Sequence, residues 1–221
     1  MLRQSAIRLA LLASLTVTGA HATNITYSGD DPYRSFDIWI NADGSNANVI
    51  AGIAILQVDG FTTVDVVCVD FFVGIGDGIY SVNLLGPNAI SNGTRVAWML
   101  RNTLPSINTQ SDPLARRQMA AGFQLAIWDI IHDNGDGFSA GRIRQSTSAP
   151  TDSTVLFWAN AFLGGTVGQS LNSGIVYRNV GGIGVSQQLM SDVTEPSTYA
   201  MFLTGGVLVG IRQRLKRKLP A

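Results

Sequence analysis

The chain has 221 residues, with 15 acidic and 15 basic side chains and a formal charge of zero. Residues 23–198 hold all 15 acidic groups but only eight basic ones (Arg34, Arg95, Arg101, Arg116, Arg117, Arg142, Arg144 and Arg178), a net of −7. Such a segment lacks the clustered positive charge that nucleic-acid binding requires, and its roughly 170 residues are enough for one sizeable core.

At the N-terminus, Arg3 and Arg8 accompany an apolar run at 9–17, and Ala20-His21-Ala22 forms a small-residue cleavage site. This is the pattern of a secretory signal peptide over 1–22, with the mature chain starting near Thr23. Beyond it, short apolar runs are spaced by Gly, Asn, Ser and Thr, which predicts a β-rich fold. Strands are expected over 36–40, 48–58 and 63–73. Another is expected over 79–85, after the turn Gly76-Asp77-Gly78. Helices follow over 94–104, capped by Asn92 or Thr94, and over 112–132. The second has Asp112 as its N-cap, Pro113 in the first helical position and Asn134-Gly135 at its end, which are strong boundary signals. A third is expected over 153–163, stopped by Gly164-Gly165, and closing strands over 175–178 and 185–189. Strands, then helices, then strands predict an α+β domain over 23–189. About three helices would pack on one side of an antiparallel sheet or barrel. Trp98, Trp128 and Trp158 fall on helices and are expected in the core.

Residues 190–198 read as a linker. An uncharged apolar segment then runs over 199–211, and Arg212, Arg214, Lys216, Arg217 and Lys218 follow at once. A hydrophobic segment halted by a basic cluster is a stop-transfer pattern with its basic side in the cytoplasm. The segment is short for a span, but long basic side chains snorkel and extend its reach. Glu195-Pro196-Ser197-Thr198, a short apolar helix and a terminal Arg/Lys tail resemble the PEP-CTERM sorting signal; Thr194 stands where that signal has its first proline. The resemblance implies export by a Gram-negative bacterium, an inner-membrane anchor over 199–221, and processing by an exosortase, a membrane-embedded cysteine transpeptidase.

Two residues of the middle segment stand out. Cys68 is the one cysteine of a chain that carries export signals. It reads as an inert buried thiol, an intermolecular disulfide partner or a reactive group. Alternation places Val64, Val66, Cys68, Asp70 and Phe72 on one strand face. Gln124 sits inside the apolar helix AGFQLAIWDII (121–131). Its helical neighbours are Ala120, Ala121, Ile127 and Trp128. An amide placed there must find partners or cost free energy. Gln118 has similar apolar neighbours, so the pattern alone does not single out Gln124.

The pair Cys68-Val69-Asp70 and Gln124-Leu125-Ala126-Ile127-Trp128 resembles the thioester domains of bacterial surface adhesins. In those domains an early-strand cysteine precedes a helix bearing a T-Q-x-A-[IV]-W-like motif. Phe123 stands here where threonine is common, and RVAWML (95–100) is also similar to that group. The resemblance implies an internal thioester between Cys68 and Gln124, in a dry pocket of Ala120, Ala121, Ile127, Trp128 and Asp70. It would acylate an amine on a surface or matrix partner in a single event. It calls for no cofactor and no turnover. Both lysines of the chain, Lys216 and Lys218, lie in the tail, which fits an acylating site elsewhere. The alternative on the same fold is a non-covalent envelope protein bound to exopolysaccharide or biofilm. There Gln124 is a core amide bonded to strand backbone and Cys68 a small buried hydrophobe.

Other chemistry is poorly supported. A Cys/His hydrolase would need His132, which lies eight residues past Gln124, about 12 Å along the helix at ~1.5 Å per residue. His132 reads instead as a helix C-terminal residue facing the dipole. HDNGDG (132–137) departs from a calcium loop at both ends, with His132 for Asp and Ile143 for Glu. It predicts an Asx-Gly turn, in which Asp133 and Asp136 are the residues a weak calcium site would use.

Overall fold

A computed structural model describes residues 22–60, 62–182 and 186–192. The expected signal peptide, the sorting motif Glu195, Pro196, Ser197 and Thr198, and the apolar segment with its basic stop lie outside the described residues, Ala22 excepted. Among the described residues no helix is long and apolar enough to cross a membrane.

Strand β1 spans Thr23–Ala42 and β2 spans Ser45–Val58. They are joined by Asp43-Gly44, both at positive φ (47° and 87°). Asp-Gly is a favoured pair for such two-residue hairpins. The first strand was expected to begin at 36, but it starts at Thr23. Its early half is polar and contains Gly29 and Pro32, features that argue against a regular strand. Register shifts between Tyr27, Asp30 and Ser35 absorb them.

The other strands are β3 (Thr62–Cys68), β4 (Gly78–Leu85), β5 (Ile143–Gln145), β6 (Ile175–Asn179) and β7 (Leu189–Ser191). All pairings are antiparallel, in the order β2-β3-β7-β6-β4-β1-β5. Because β1 also pairs with β2, six of these strands close into a ring and β5 extends β1 beyond it. The short β5 has no counterpart among the expected strands. The strand expected over 63–73 stops at Cys68. The following apolar residues pack as a loop instead: Phe71 meets Trp128 edge-on at 4.8 Å, and Phe72 meets His132 at 5.1 Å.

Alternation divides the interior into two cores. Ile25, Tyr27, Leu56, Val64, Val66 and Val82 fill the ring. Ile38, Ile40, Ile53, Val67 and Val69 face the helices. Cys68 packs against both cores.

The helices are α1 (Gly93–Asn108), α2 (Pro113–Asp133) and α3 (Ser153–Gly165). Helix α1 was expected to end at Leu104, before Pro105. It continues through the proline, and the buried Leu104 and Ile107 anchor its last turns. Asn92 is its N-cap, in the left-handed region, but its side chain makes no capping bond. Its amide instead donates to the Ile130 carbonyl (2.7 Å) and to Asn134 Oδ1 (2.9 Å), tying α1 to the end of α2. Helix α2 starts as expected, with the Asp112 carboxylate accepting from Ala115 N–H at 2.8 Å. It ends on left-handed Asn134 and Gly135. Its middle is buried on all sides, between the sheet and the other two helices.

Helix α2 approaches α3 closely at Gly122. A Cβ there would lie 2.7 Å from Trp158 Cβ, 2.8 Å from the Val155 oxygen and 2.9 Å from Ala159 N. Two of these are backbone atoms, which cannot swing aside. Gly122→Ala should therefore cost ~1–3 kcal/mol of stability despite its better helix propensity. Denaturant unfolding checks this: a lower midpoint at unchanged slope is expected, and parental stability would contradict the contact.

Candidate site at Cys68 and Gln124

Strand pairing explains why this site exists. The β2–β3 ladder runs from Val58↔Thr62 to Ala54↔Val66 and stops there. On the other edge, Val69 N–H donates to the Gln188 carbonyl at 3.0 Å, continuing the pairing with β7. Peptide groups alternate sides along a strand, so the N–H and C=O of Cys68 point away from β7, into the space β2 has left. Such groups need partners when buried.

Gln124 supplies them. Cys68 N–H donates to Gln124 Oε1 at 3.0 Å, and Gln124 Nε2 donates to the Cys68 carbonyl at 2.7 Å. A side-chain amide has the same donor and acceptor pair as a peptide, so it stands in for the missing strand. Two residues 56 positions apart thus meet in paired hydrogen bonds.

The surroundings are dry. Gln124 is 1 % exposed, and Ala120, Ala121, Ile127 and Trp128 are all buried. Trp128 Nε1 is buried without a hydrogen-bond partner among the described residues. Burial, and then the charges of Asp30 and Asp70, push the Cys68 thiol well above its ordinary range, so it is held protonated. Sequence reasoning missed the Asp30 side of the site. Tyr27 Oη donates to Asp30 Oδ1 at 3.2 Å. Burial and the nearby Asp30 and Cys68 push the phenol up, and burial pushes Asp30 up as well. Both residues lie in the irregular half of β1, where no expected strand marked them.

Asp70 lies past the end of β3, not on the strand face with Val64 and Val66. Its carboxylate accepts from Phe72 N–H at 3.2 Å, and its carbonyl accepts from Gln187 Nε2 at 2.9 Å. It borders a cleft of about 250 Å³ with His132, Arg178 and Gln188. His132 Nε2 accepts from Phe71 N–H at 3.5 Å, and burial, then Arg142, push its pKa down. Gln118, the other glutamine among apolar neighbours, reaches Asp152 Oδ2 at 3.5 Å. Trp39 is 39 % exposed, and Trp98 and Trp158 are half-buried against the core. Asp133 and Asp136, the residues of the Asx-Gly turn, gather with Asp129 at the end of α2. Asp129 was not singled out in the sequence, although its i, i+4 spacing from Asp133 places both on one helix face.

The chain matches no protein-family profile and no curated protein. Among solved structures it is similar to the N-terminal domain of the Streptococcus pyogenes pilus tip adhesin Cpa. The identity is 12 %, over 75 % of this chain and 97 % of that one, with a TM-score of 0.40.

Proposed function

We propose that the chain is an exported, membrane-anchored surface protein whose Cys68 and Gln124 close an internal thioester. That bond would attach the protein covalently to an amine-bearing surface or matrix partner. The observation that carries this reading is the paired hydrogen bonding of the Gln124 carboxamide to the residue that bears the thiol.

In the first step Cys68 sulfur adds to Gln124 Cδ, the thiol proton is carried by a base to Nε2, and the C–N bond breaks with release of ammonia. Asp30 and Asp70 are the carboxylates whose charges reach the thiol, and either would serve as that base. In the second step a primary amine adds to the same carbon, the C–S bond breaks, and Cys68 recovers its proton as an amide forms. Both steps build negative charge on Oε1, where Cys68 N–H already points, so that donor serves as an oxyanion contact. Holding the groups together supplies a high effective concentration. The apolar wall keeps water from the acyl carbon. The reaction runs once per molecule and needs no cofactor.

The N-terminal pattern supports export. The tail from Glu195 onward supports membrane anchoring and exosortase sorting. One experiment reads the thioester and the removal of the leader: intact-mass measurement of the protein recovered from its native envelope. The expected mass lacks one ammonia and residues 1–22, and methylamine restores mass at Gln124. Cys68→Ala abolishes the ammonia loss. An unmodified, methylamine-inert mass would favour the second reading, a non-covalent envelope protein that binds polysaccharide. The same hydrogen bonds favour that reading in one respect, since they already satisfy both partners without a covalent bond.

A further inference from the structure

Asp129 is a buried carboxylate with half of its chemistry unused. It is 0 % exposed. Its Oδ2 accepts from Gly137 N–H at 3.2 Å, while Oδ1 is buried and has no hydrogen-bond partner among the described residues. An ionised carboxylate in that state is costly unless a cation or donor completes it. One oxygen each from Asp129, Asp133 and Asp136 lies within 4.8 Å of the others.

The neighbouring positive charge does not fill this role. Arg95 Nε donates to Thr166 Oγ1 (2.9 Å), Nη1 to the Asn134 carbonyl (2.8 Å) and Nη2 to the Leu163 carbonyl (3.2 Å). Its contacts go to neutral oxygens and it offsets the carboxylates only at a distance. Asp133 is held in place by Arg142 N–H at 2.9 Å and Ile143 N–H at 2.7 Å. Its oxygens keep further lone pairs for a ligand. The C-terminal end of α2 adds the negative pole of the helix dipole.

We propose that Asp129, Asp133 and Asp136 bind a calcium ion at the junction of α2 and the loop leading to β5. Donors made only of oxygen select a hard cation. Calcium at ~2.3–2.6 Å from each ligand bridges oxygens up to about 5 Å apart, which spans this cluster, and it accepts irregular geometry where magnesium demands a near-ideal octahedron. Occupancy would neutralise three like charges and pin the loop against α2. The site uses none of the Cys68 machinery and stands apart from the thioester reading.

The test uses the full chain in detergent, stripped with EDTA and titrated with calcium chloride by calorimetry, with thermal unfolding in parallel. Saturable binding near one calcium per chain and a rise in Tm are expected. Asp136→Asn, at an exposed position, should weaken binding about tenfold or more, because affinity follows the number of charged ligands. Asp129→Asn should raise the Tm of the stripped protein and abolish the response to calcium. The proposal is overturned by the absence of saturable binding in the parent chain. It is equally overturned if both variants respond as the parent does, or if magnesium matches calcium.

Discussion

Gln124→Ala should lose about 3–4 kcal/mol of folding stability. It removes two hydrogen bonds at once and strands the N–H and C=O of Cys68. Each unmade bond to a buried group costs ~1–3 kcal/mol. Denaturant unfolding of Gln124→Ala and Cys68→Ala side by side separates the structural and the covalent readings. Cys68→Ala keeps the backbone groups that Gln124 binds. Without a thioester it should cost only ~1 kcal/mol, the loss of a small half-buried side chain. With a thioester it also opens a 56-residue ring. A cross-link closing a loop of that size is worth ~4 kcal/mol by the chain-entropy relation. The size of the Cys68→Ala effect therefore reports the bond independently of mass. A near-neutral Cys68→Ala beside a severe Gln124→Ala would leave the contact structural and remove the covalent chemistry.

Replacing Arg34 should have an effect of similar size. Its guanidinium forks onto Asp65 with both Nη atoms at 2.6 Å and reaches Asp31 through Nε at 2.8 Å. Nη1 also donates to Asn108 Oδ1 at 2.8 Å. One side chain thus joins the irregular stretch of β1, β3 and the last turn of α1. The Arg34 and Asp31 side chains are 11 % exposed and that of Asp65 is 28 % exposed, so water screens them little. Arg34→Met leaves two partly buried carboxylates without their partner and should cost about 3 kcal/mol, the lower end for a broken buried pair. Arg34→Lys should recover only part of this, because an ammonium cannot fork.

The pH dependence has a definite sign. Burial alone would raise the Asp65 pKa, but the hydrogen bonds and charge of Arg34, with Asn108, hold it below the ordinary carboxylate value. Its contribution is therefore present above the unfolded value of about 4 and is lost as pH falls through the folded value. The gap between parent and Arg34→Met should narrow on acidification below about pH 4. A gap that stays constant would mean that Arg34 acts through packing alone.

Local chemistry was legible wherever it depended on neighbours in the chain. Asp112, Pro113 and Asn134-Gly135 bound α2 because caps and left-handed turns are decided within a few residues. Gln124 was conspicuous because helical periodicity made its neighbours apolar. The early half of β1 was hidden because its polar residues, glycine and proline are tolerated only through register shifts against β2. Helix α1 outran its proline because distant core residues hold Leu104 and Ile107.

The functional geometry follows the same division. The resemblance of their motifs to thioester domains nominated Cys68 and Gln124 as a pair. Where β2 leaves β3, and hence why Cys68 lacks a strand partner for Gln124 to replace, depends on pairing between segments far apart in sequence. The burial of Asp129, with its unpaired Oδ1, and its meeting with Asp133 and Asp136 likewise required the packed helices and the folded-back loop. Short-range preferences are written residue by residue. The solvation of a carboxylate or a peptide group is set by whatever the rest of the chain places against it.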